Sequence, residues 1–172
     1  LDSKGIICEG DPNLNPIQKE ISSLTNRSKL KGGLADAVMN SDVFIGVSAP
    51  NILTKEMVQT MNKDAIVFAM ANPVPEIMPD IAKQGGARIV GTGRSDFKNQ
   101  INNVLAFPGV FRGALDNNIK TITREMMISA SYAIANLITD DILDEEHILP
   151  DVFDKRVVSA IANAIKDCIT SP

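Results

Sequence analysis

The chain has 172 residues, of which 44% are hydrophobic, so it can bury a core in one or two domains. Its formal net charge of −4 and its aromatic content of 4% argue against nucleic-acid binding, which depends on basic and aromatic surfaces. Its two cysteines, its lack of an apolar run near the roughly 20 residues that span a bilayer, and its charged start predict a cytoplasmic protein that does not enter membranes.

The first five residues, LDSKG, look like the end of a strand that finishes on an acidic residue. In a Rossmann unit, an Asp or Glu about 20 residues beyond a glycine-rich loop binds the adenosine ribose. The glycine fingerprint is absent, because the nearest match at 91–96 ends in Asp and the segment 32–37 also fails. If Asp2 is the ribose ligand, we expect the first strand, the glycine loop and the first helix to precede this chain. Alternatively, Asp2 is a terminal residue without a role.

Three short apolar segments, rich in β-branched residues, predict strands at 42–47, 65–71 and 87–92. Each segment is apolar throughout, which predicts burial on both faces of a parallel sheet. Helical patterns lie at 31–40, after a Thr54 N-cap, and at 79–85, where a glycine ends the pattern. The alternation of strands and helices predicts a Rossmann-like α/β fold with a mostly parallel sheet flanked by helices.

The C-terminal third is predicted to be helical, because apolar residues recur every three to four positions at 123–138 and 151–169. We expect the second of these helices near 152–168. The only tyrosine, Tyr132, lies within the first pattern and is interpreted as a packing residue. His147 and the acidic pairs Asp140-Asp141 and Glu145-Glu146 are interpreted as solvated surface rather than as metal ligands.

Ligands of open parallel sheets bind at the carboxyl ends of the strands. The three predicted strands are followed by SAPN (48–51), NPVPE (72–76) and GRSD (93–96), which are small, polar or proline-rich segments. They suit a backbone that approaches a flat polar ligand, although ordinary turns have the same composition. Within the third segment, Arg94 and Asp96 could form an ion pair that braces the loop or a surface pair of little consequence.

A cluster of amides follows the third predicted strand, in NQINNVLAFPG (99–109). Asn99, Asn102 and Asn103 precede an apolar run at 104–107, which we expect to be buried and to stop at Pro108-Gly109. An amide can donate to a carboxylate without adding charge, so these side chains suit a small anionic ligand. For at least one of them, the alternative is a helix cap or a turn.

Three motifs, GVSAPN (46–51), FAMANPVPEIMP (68–79) and GTGRSDFKNQINNVLAFPGVFRGALD (91–116), resemble the NAD-binding half of bacterial-type malic enzymes. The resemblance covers nearly the whole chain, 1–172, as the C-terminal part of such a domain. It implies an oxidoreductase that oxidises and decarboxylates malate to pyruvate and CO2. It also implies a homodimer.

The resemblance implies roles for particular residues. The matching cofactor-binding residues are Asp2, Ser48, Ala49 and Asn72, and the matching substrate-binding residues are Asn72, Asn102 and Asn103. The implied cofactor is NAD, since a carboxylate at position 2 repels a 2′-phosphate, although Lys4 could partly offset this repulsion and permit NADP. The family's lysine base, tyrosine acid and carboxylate ligands for Mg²⁺ or Mn²⁺ are expected upstream, so we expect no catalytic or metal-binding residue in this chain.

Two alternatives remain open from the sequence. The chain could be a truncated, inactive folding or dimerisation module, because without a glycine loop it lacks the amides that hold a pyrophosphate. It could also be a half-domain of another NAD-dependent dehydrogenase, such as an amino-acid dehydrogenase. The segment INNVLAFPG (101–109) favours the malic enzyme interpretation.

Overall fold

The computed structural model describes residues 1–170. The strands are β1 (Val43–Gly46), β2 (Ile66–Ala69) and β3 (Ile89–Thr92). The helices are α1 (Pro16–Leu24), α2 (Leu34–Val38), α3 (Lys55–Gln59), α4 (Pro79–Gln84), α5 (Phe107–Asp116), α6 (Arg124–Ala135) and α7 (Arg156–Thr170), with a short 3-10 helix at Asn103–Leu105. Within the described part, no helix is both long and apolar enough to cross a membrane.

The three strands form a parallel sheet in the order β1-β2-β3, which confirms the predicted α/β fold class. In the register, Val43 lies beside Ile66, and Ile66 lies beside Ile89. The strands are up to two residues shorter at each end than the apolar runs that predicted them. Their carboxyl ends meet at one edge, where the three following loops begin.

The prediction that each strand is buried on both faces is wrong for β1. Phe44 is buried, whereas Val43 and Ile45 on the opposite face are 46% and 64% exposed. The reason is that α2, α3 and α4 share one hydrophobic core with a single face of the sheet, and successive right-handed crossovers in one direction place helices on the same side. The other face of β1 carries apolar side chains without a covering layer.

Capping residues mark where several helices around the sheet begin or end. Thr54 caps α3 as predicted, accepting a hydrogen bond from Met57 N at 3.2 Å. The pattern at 79–85 forms α4 with Gly85 as its C-cap, whereas the pattern at 31–40 forms only the five-residue α2. The helix α1 was not predicted, although Asn15 and Gln18 form a capping box in front of it.

The C-terminal helices form a second hydrophobic core, separate from that of the sheet. The predicted helices correspond to α6 and α7, and α7 packs against both α5 and α6. Close contact between α5 and α7 depends on glycine, because a Cβ at Gly109 would lie 2.6 Å from Ile161 Cβ. The helix α5 was not predicted from the sequence.

Three expectations in this region are wrong. Pro108 does not stop a buried run but lies in the first turn of α5, where proline is tolerated because its missing N–H has no helical partner. Of the run 104–107, Leu105 is buried, but Val104 and Phe107 are 45% and 53% exposed. Tyr132 is not a packing residue, since it is 67% exposed on the outer side of α6.

Candidate functional site

The loops after β1 and β2 lie against each other at the carboxyl edge of the sheet. The amide of Asn51 donates to Pro75 O at 3.0 Å, and the amide of Leu53 donates to Glu76 O at 3.0 Å. Nearer the strands, Met70 N donates to Gly46 O at 3.0 Å. These bonds join SAPN (48–51) to NPVPE (72–76), so neither segment is an independent turn.

The side chain of Glu76 adds a second connection between these two loops. It is fully buried, and its Oε1 accepts hydrogen bonds from Ser48 N at 2.7 Å and from Ser48 Oγ at 2.9 Å. Its Oε2 accepts from Ala71 N at 2.9 Å. Sequence reasoning missed this residue, although a glutamate between apolar neighbours in NPVPEIMP is a signal for a buried carboxylate that needs partners.

Arg94 connects the third loop to the second. Its Nη1 donates to Pro73 O at 3.3 Å, while its Nε and Nη2 bind the Asp96 carboxylate at 2.9 and 2.7 Å. The predicted ion pair is therefore present, and it braces the loops rather than standing alone. The hydrogen bonds from Arg94 lower the pKa of Asp96, whose carboxylate stays ionised beside the guanidinium.

Three of the predicted cofactor-binding residues lie together. Asp2, Ser48 and Ala49 line one groove of about 700 Å³ that runs along the free edge of β1, with Leu34 and Val38 from α2 on its wall. The Asp2 carboxylate accepts hydrogen bonds from Lys4 N at 2.8 Å and Gln18 Nε2 at 2.6 Å. The fourth residue, Asn72, is exposed and does not line this groove; it follows Ala71 in the second loop, and its peptide bond to Pro73 is cis.

The amide cluster divides into three different environments. Asn99 is buried and structural: its Nδ2 donates to Val90 O at 3.1 Å and to Glu145 O at 2.8 Å, and its Oδ1 accepts from Ile148 N at 3.0 Å. Asn102 caps the short 3-10 helix, because its Oδ1 accepts from Val104 N at 3.0 Å. The alternative of a cap or turn is thus confirmed for Asn102, while Asn99 has a buried structural role.

Asn103 differs from the other two asparagines. Its side chain is exposed and forms no hydrogen bond to any described residue, while its backbone carbonyl accepts from Ala106 N at 3.0 Å. The bond from Ile101 N to Thr92 O, at 2.7 Å, holds this segment against the end of β3. Both Asn102 and Asn103 therefore lie on the edge of the sheet that carries the three loops.

Two acidic residues of the C-terminal part, Glu145 and Glu146, are surface groups with cationic partners, whereas the exposed Asp140 and Asp141 form no ion pair with a described residue. Glu145 pairs with Arg88 at 3.0 Å and Glu146 pairs with Lys83 at 2.7 Å. The pKa of Glu145 is lowered first by a backbone hydrogen bond and then by Arg88, and the pKa of Glu146 is lowered first by its hydrogen bond from Lys83. His147 is exposed, as predicted, and contacts Asp144 at 2.9 Å. Within residues 1–170, no group of three or more His, Cys, Asp or Glu side chains could hold a metal ion.

The comparisons with known proteins agree on one family. The family model described as "Malic enzyme, NAD binding domain" matches residues 1–169. The chain is 56% identical over 165 residues to the bifunctional malic/malolactic enzyme of Bacillus subtilis, covering 95% of this chain and 40% of that relative. It is 50% identical over 165 residues to the NAD-dependent malic enzyme of Geobacillus stearothermophilus, covering 96% of this chain and 34% of that relative.

A solved structure has the same fold. The crystal structure of the NAD-dependent malic enzyme from Thermotoga maritima superposes with a TM-score of 0.89 at 45% identity, covering 96% of this chain and 43% of the other. The chain thus spans less than half the length of each of these relatives. The chain belongs to the malic enzyme family, and its residues 1–169 match that family's NAD-binding domain.

Proposed function

We propose that this chain is the cofactor- and substrate-binding portion of an enzyme that oxidises malate and decarboxylates it to pyruvate and CO2. The family match and the malic enzymes among its relatives support the proposal. The observation that carries it is geometric: Ser48 and Ala49, at one end of the groove that also contains Asp2, lie at the same carboxyl edge of the parallel sheet as the amides of Asn102 and Asn103. That edge is where open α/β sheets bind ligands.

The groove suits the adenosine part of a dinucleotide. Its apolar wall, with Leu34 and Val38, can cover a flat base, and the Asp2 carboxylate can accept hydrogen bonds from ribose hydroxyls. The two donors that already bind Asp2 fix its orientation and leave it lone pairs for a ligand. A carboxylate disfavours the phosphate of NADP, so we propose NAD as the preferred cofactor, with NADP still possible because Lys4 lies two residues away.

The two asparagines offer donors for a dianionic substrate. Because Oδ1 of Asn102 already accepts a hydrogen bond from Val104 N, its Nδ2 is the atom that can donate to a ligand. Asn103 is exposed beside it on the short 3-10 helix, whose Leu105 is buried and fixes the helix to the α5–α7 core. We propose that these amides donate to the carboxylate and hydroxyl oxygens of malate, and that Asn72 reaches the same ligands from the second loop.

The divalent metal of this reaction acts as a Lewis acid on a ketone oxygen when it is bound. The residues of the described chain do not fit such a site, since none of their acidic groups gathers into a cluster of three. We propose that the metal ligands, the general base and the general acid lie in other parts of a longer protein, and that this chain alone is inactive. The apolar outer face of β1 supports the proposal that this chain is part of a longer protein, because parallel sheets are normally covered on both faces.

We also propose that the protein is a homodimer located in the cytoplasm. The outer side of α5 supports an association of this kind, since Phe107, Phe111 and Leu115 are all more than half exposed along one side of the helix. Contiguous apolar side chains of this type mark interaction surfaces in soluble proteins.

The substitution Asn103→Ala in the full-length protein tests the proposed function. Loss of one hydrogen bond to a charged ligand group should cost about 1.5–3 kcal/mol, which is roughly a ten- to a hundredfold loss in kcat/KM for malate. The affinity for NAD should stay near that of the wild type. Asn136→Ala is the matched control, because Asn136 is an exposed asparagine at the end of α6 without a proposed ligand role.

Melting temperature and malate kinetics should be measured on the same preparation of each variant. If Asn103 has no ligand role, its substitution leaves kcat/KM for malate at the wild-type value, and the melting temperature also changes little because the side chain is exposed and forms no hydrogen bond to a described residue. That result would remove Asn103 from the substrate site. Wild-type protein that does not oxidise malate with either NAD or NADP would refute the proposed activity itself.

A further inference from the structure

Resting on the proposed function, we propose that Glu76 is a positioning residue that fixes the two cofactor-binding loops to each other before the cofactor binds. It does not line the groove, so it acts through Ser48 and through the backbone before Asn72. Its carboxylate is the only side chain of the described residues that hydrogen-bonds to both the first and the second loop.

Both carboxylate oxygens of Glu76 accept hydrogen bonds. Three donors, two from Ser48 and one from Ala71, converge on its two oxygens at 2.7–2.9 Å. A fully buried carboxylate whose hydrogen-bond partners are all donors is stabilised by these bonds, and charge-assisted hydrogen bonds are about twice as strong as neutral ones. The residues whose amides it holds, Ser48 and Ala71, lie directly before Ala49 and Asn72.

The neighbouring strand leaves room for this carboxylate. A Cβ at Gly46 would lie 2.6 Å from both Cδ and Oε1 of Glu76, closer than real Cβ contacts come. Only glycine at the end of β1 therefore allows the side chain to pass beneath the first loop. The close approach explains why an otherwise apolar strand, DVFIGV, has a glycine just before the ligand-binding loop.

The geometry also determines what Ser48 can offer a ligand. Its hydroxyl proton is directed to Oε1 of Glu76 at 2.9 Å, so toward the groove the oxygen is an acceptor. An acceptor at this position suits a hydroxyl group of a ribose rather than a phosphate oxygen. Glu76 thereby contributes to the chemical selectivity of the groove as well as to the position of its loop.

The substitution Glu76→Gln in the full-length protein separates positioning from stability. The amide replaces one acceptor with an NH2 group, which meets an N–H or O–H donor whichever way the side chain turns. We expect the Kd for NADH, followed by its fluorescence, to rise about tenfold or more, as the loss of one charge-assisted bond implies. Val67→Ala is the control, because Val67 is a fully buried residue of β2 that touches neither loop through hydrogen bonds.

The two variants should differ in one measurement and agree in another. Both lower the melting temperature, but only Glu76→Gln should weaken NADH binding in the folded fraction, while Val67→Ala stays within about twofold of the wild type. Equal NADH affinity in wild type and Glu76→Gln would overturn the positioning role. Wild-type protein that binds no dinucleotide would instead overturn the proposed function, so the two failures can be distinguished.

Hydrogen exchange on the unliganded wild type tests the same inference if Glu76→Gln does not fold. The amides of Ser48 and Ala71 have Glu76 as their acceptor, so they should exchange at least about a hundredfold more slowly than in an unstructured peptide. Fast exchange at both amides would show that the loops are not held before the cofactor binds. Slow exchange supports the inference.

Discussion

The substitution Asn99→Ala tests how the amide cluster is divided between structure and ligand binding. Asn99 lies just beyond the third loop, and its side chain joins β3 to the segment around Glu145 through three hydrogen bonds. Its backbone is left-handed, with a φ of 52°. Alanine would remove all three bonds and would also occupy a backbone conformation that favours asparagine or glycine.

The expected cost follows from these contacts. At a net 0.5–1.5 kcal/mol for each hydrogen bond, the three bonds contribute about 1.5–4.5 kcal/mol to the free energy of unfolding. The left-handed backbone adds about 1 kcal/mol to the cost of alanine. The control Asn118→Ala isolates this second contribution, because Asn118 has a φ of 53° and is not buried, and its side chain forms no hydrogen bond to a described residue.

Urea unfolding followed by circular dichroism measures both variants. We expect Asn99→Ala to be about 3 kcal/mol less stable than Asn118→Ala, which corresponds to a further fall of about 6–12 °C in melting temperature for a domain of this size. A difference below about 0.5 kcal/mol, the lower limit for one hydrogen bond, would show that the three bonds contribute little and would refute this reasoning.

Three further predictions concern packing, charge and cofactor choice. Gly109→Ala should destabilise the protein by about 1–3 kcal/mol in thermal unfolding, because the new Cβ would overlap Ile161; an unchanged melting temperature would contradict the close contact between α5 and α7. Lys83→Met should destabilise the protein at neutral pH but not in acid. Lys83 lowers the pKa of Glu146 in the folded protein. The pair therefore stabilises the fold fully above the pKa that Glu146 has in the unfolded chain, and this stabilisation is lost as the pH falls through the lower pKa of the folded state. A difference between wild type and variant that does not change with pH would exclude this origin. Asp2→Ser in the full-length protein should weaken NAD binding about tenfold and reduce the discrimination against NADP, as isothermal titration can show; a wild type that prefers NADP would count against the ribose role.

The sequence by itself determined the features that depend on neighbouring residues. The apolar runs predicted three strands with each end placed to within two residues, because short β-branched segments bounded by turn residues are typical of buried strands. Thr54 and Gly85 marked helix ends through bonds that span three or four positions. The pair of Arg94 and Asp96 was visible because the two residues are only two positions apart.

The motifs were also sufficient to identify the family, since the segments at 46–51, 68–79 and 91–116 are together long enough to be specific. What they did not indicate was the role of each polar residue inside them. Asn99, Asn102 and Asn103 have the same side chain in one short segment, yet the structure places one in a buried network, one at a helix cap and one in solvent.

Only the tertiary structure decided these roles, because the partners are distant in sequence. Asn99 binds Ile148 across 49 positions and Glu76 binds Ser48 across 28. The same holds for exposure: β1 is apolar on both sides, but its outer face is open because α2, α3 and α4 all pack on the other side of the sheet. Hydrophobic pattern shows which residues can be buried, whereas burial itself depends on which elements the chain topology brings to each face.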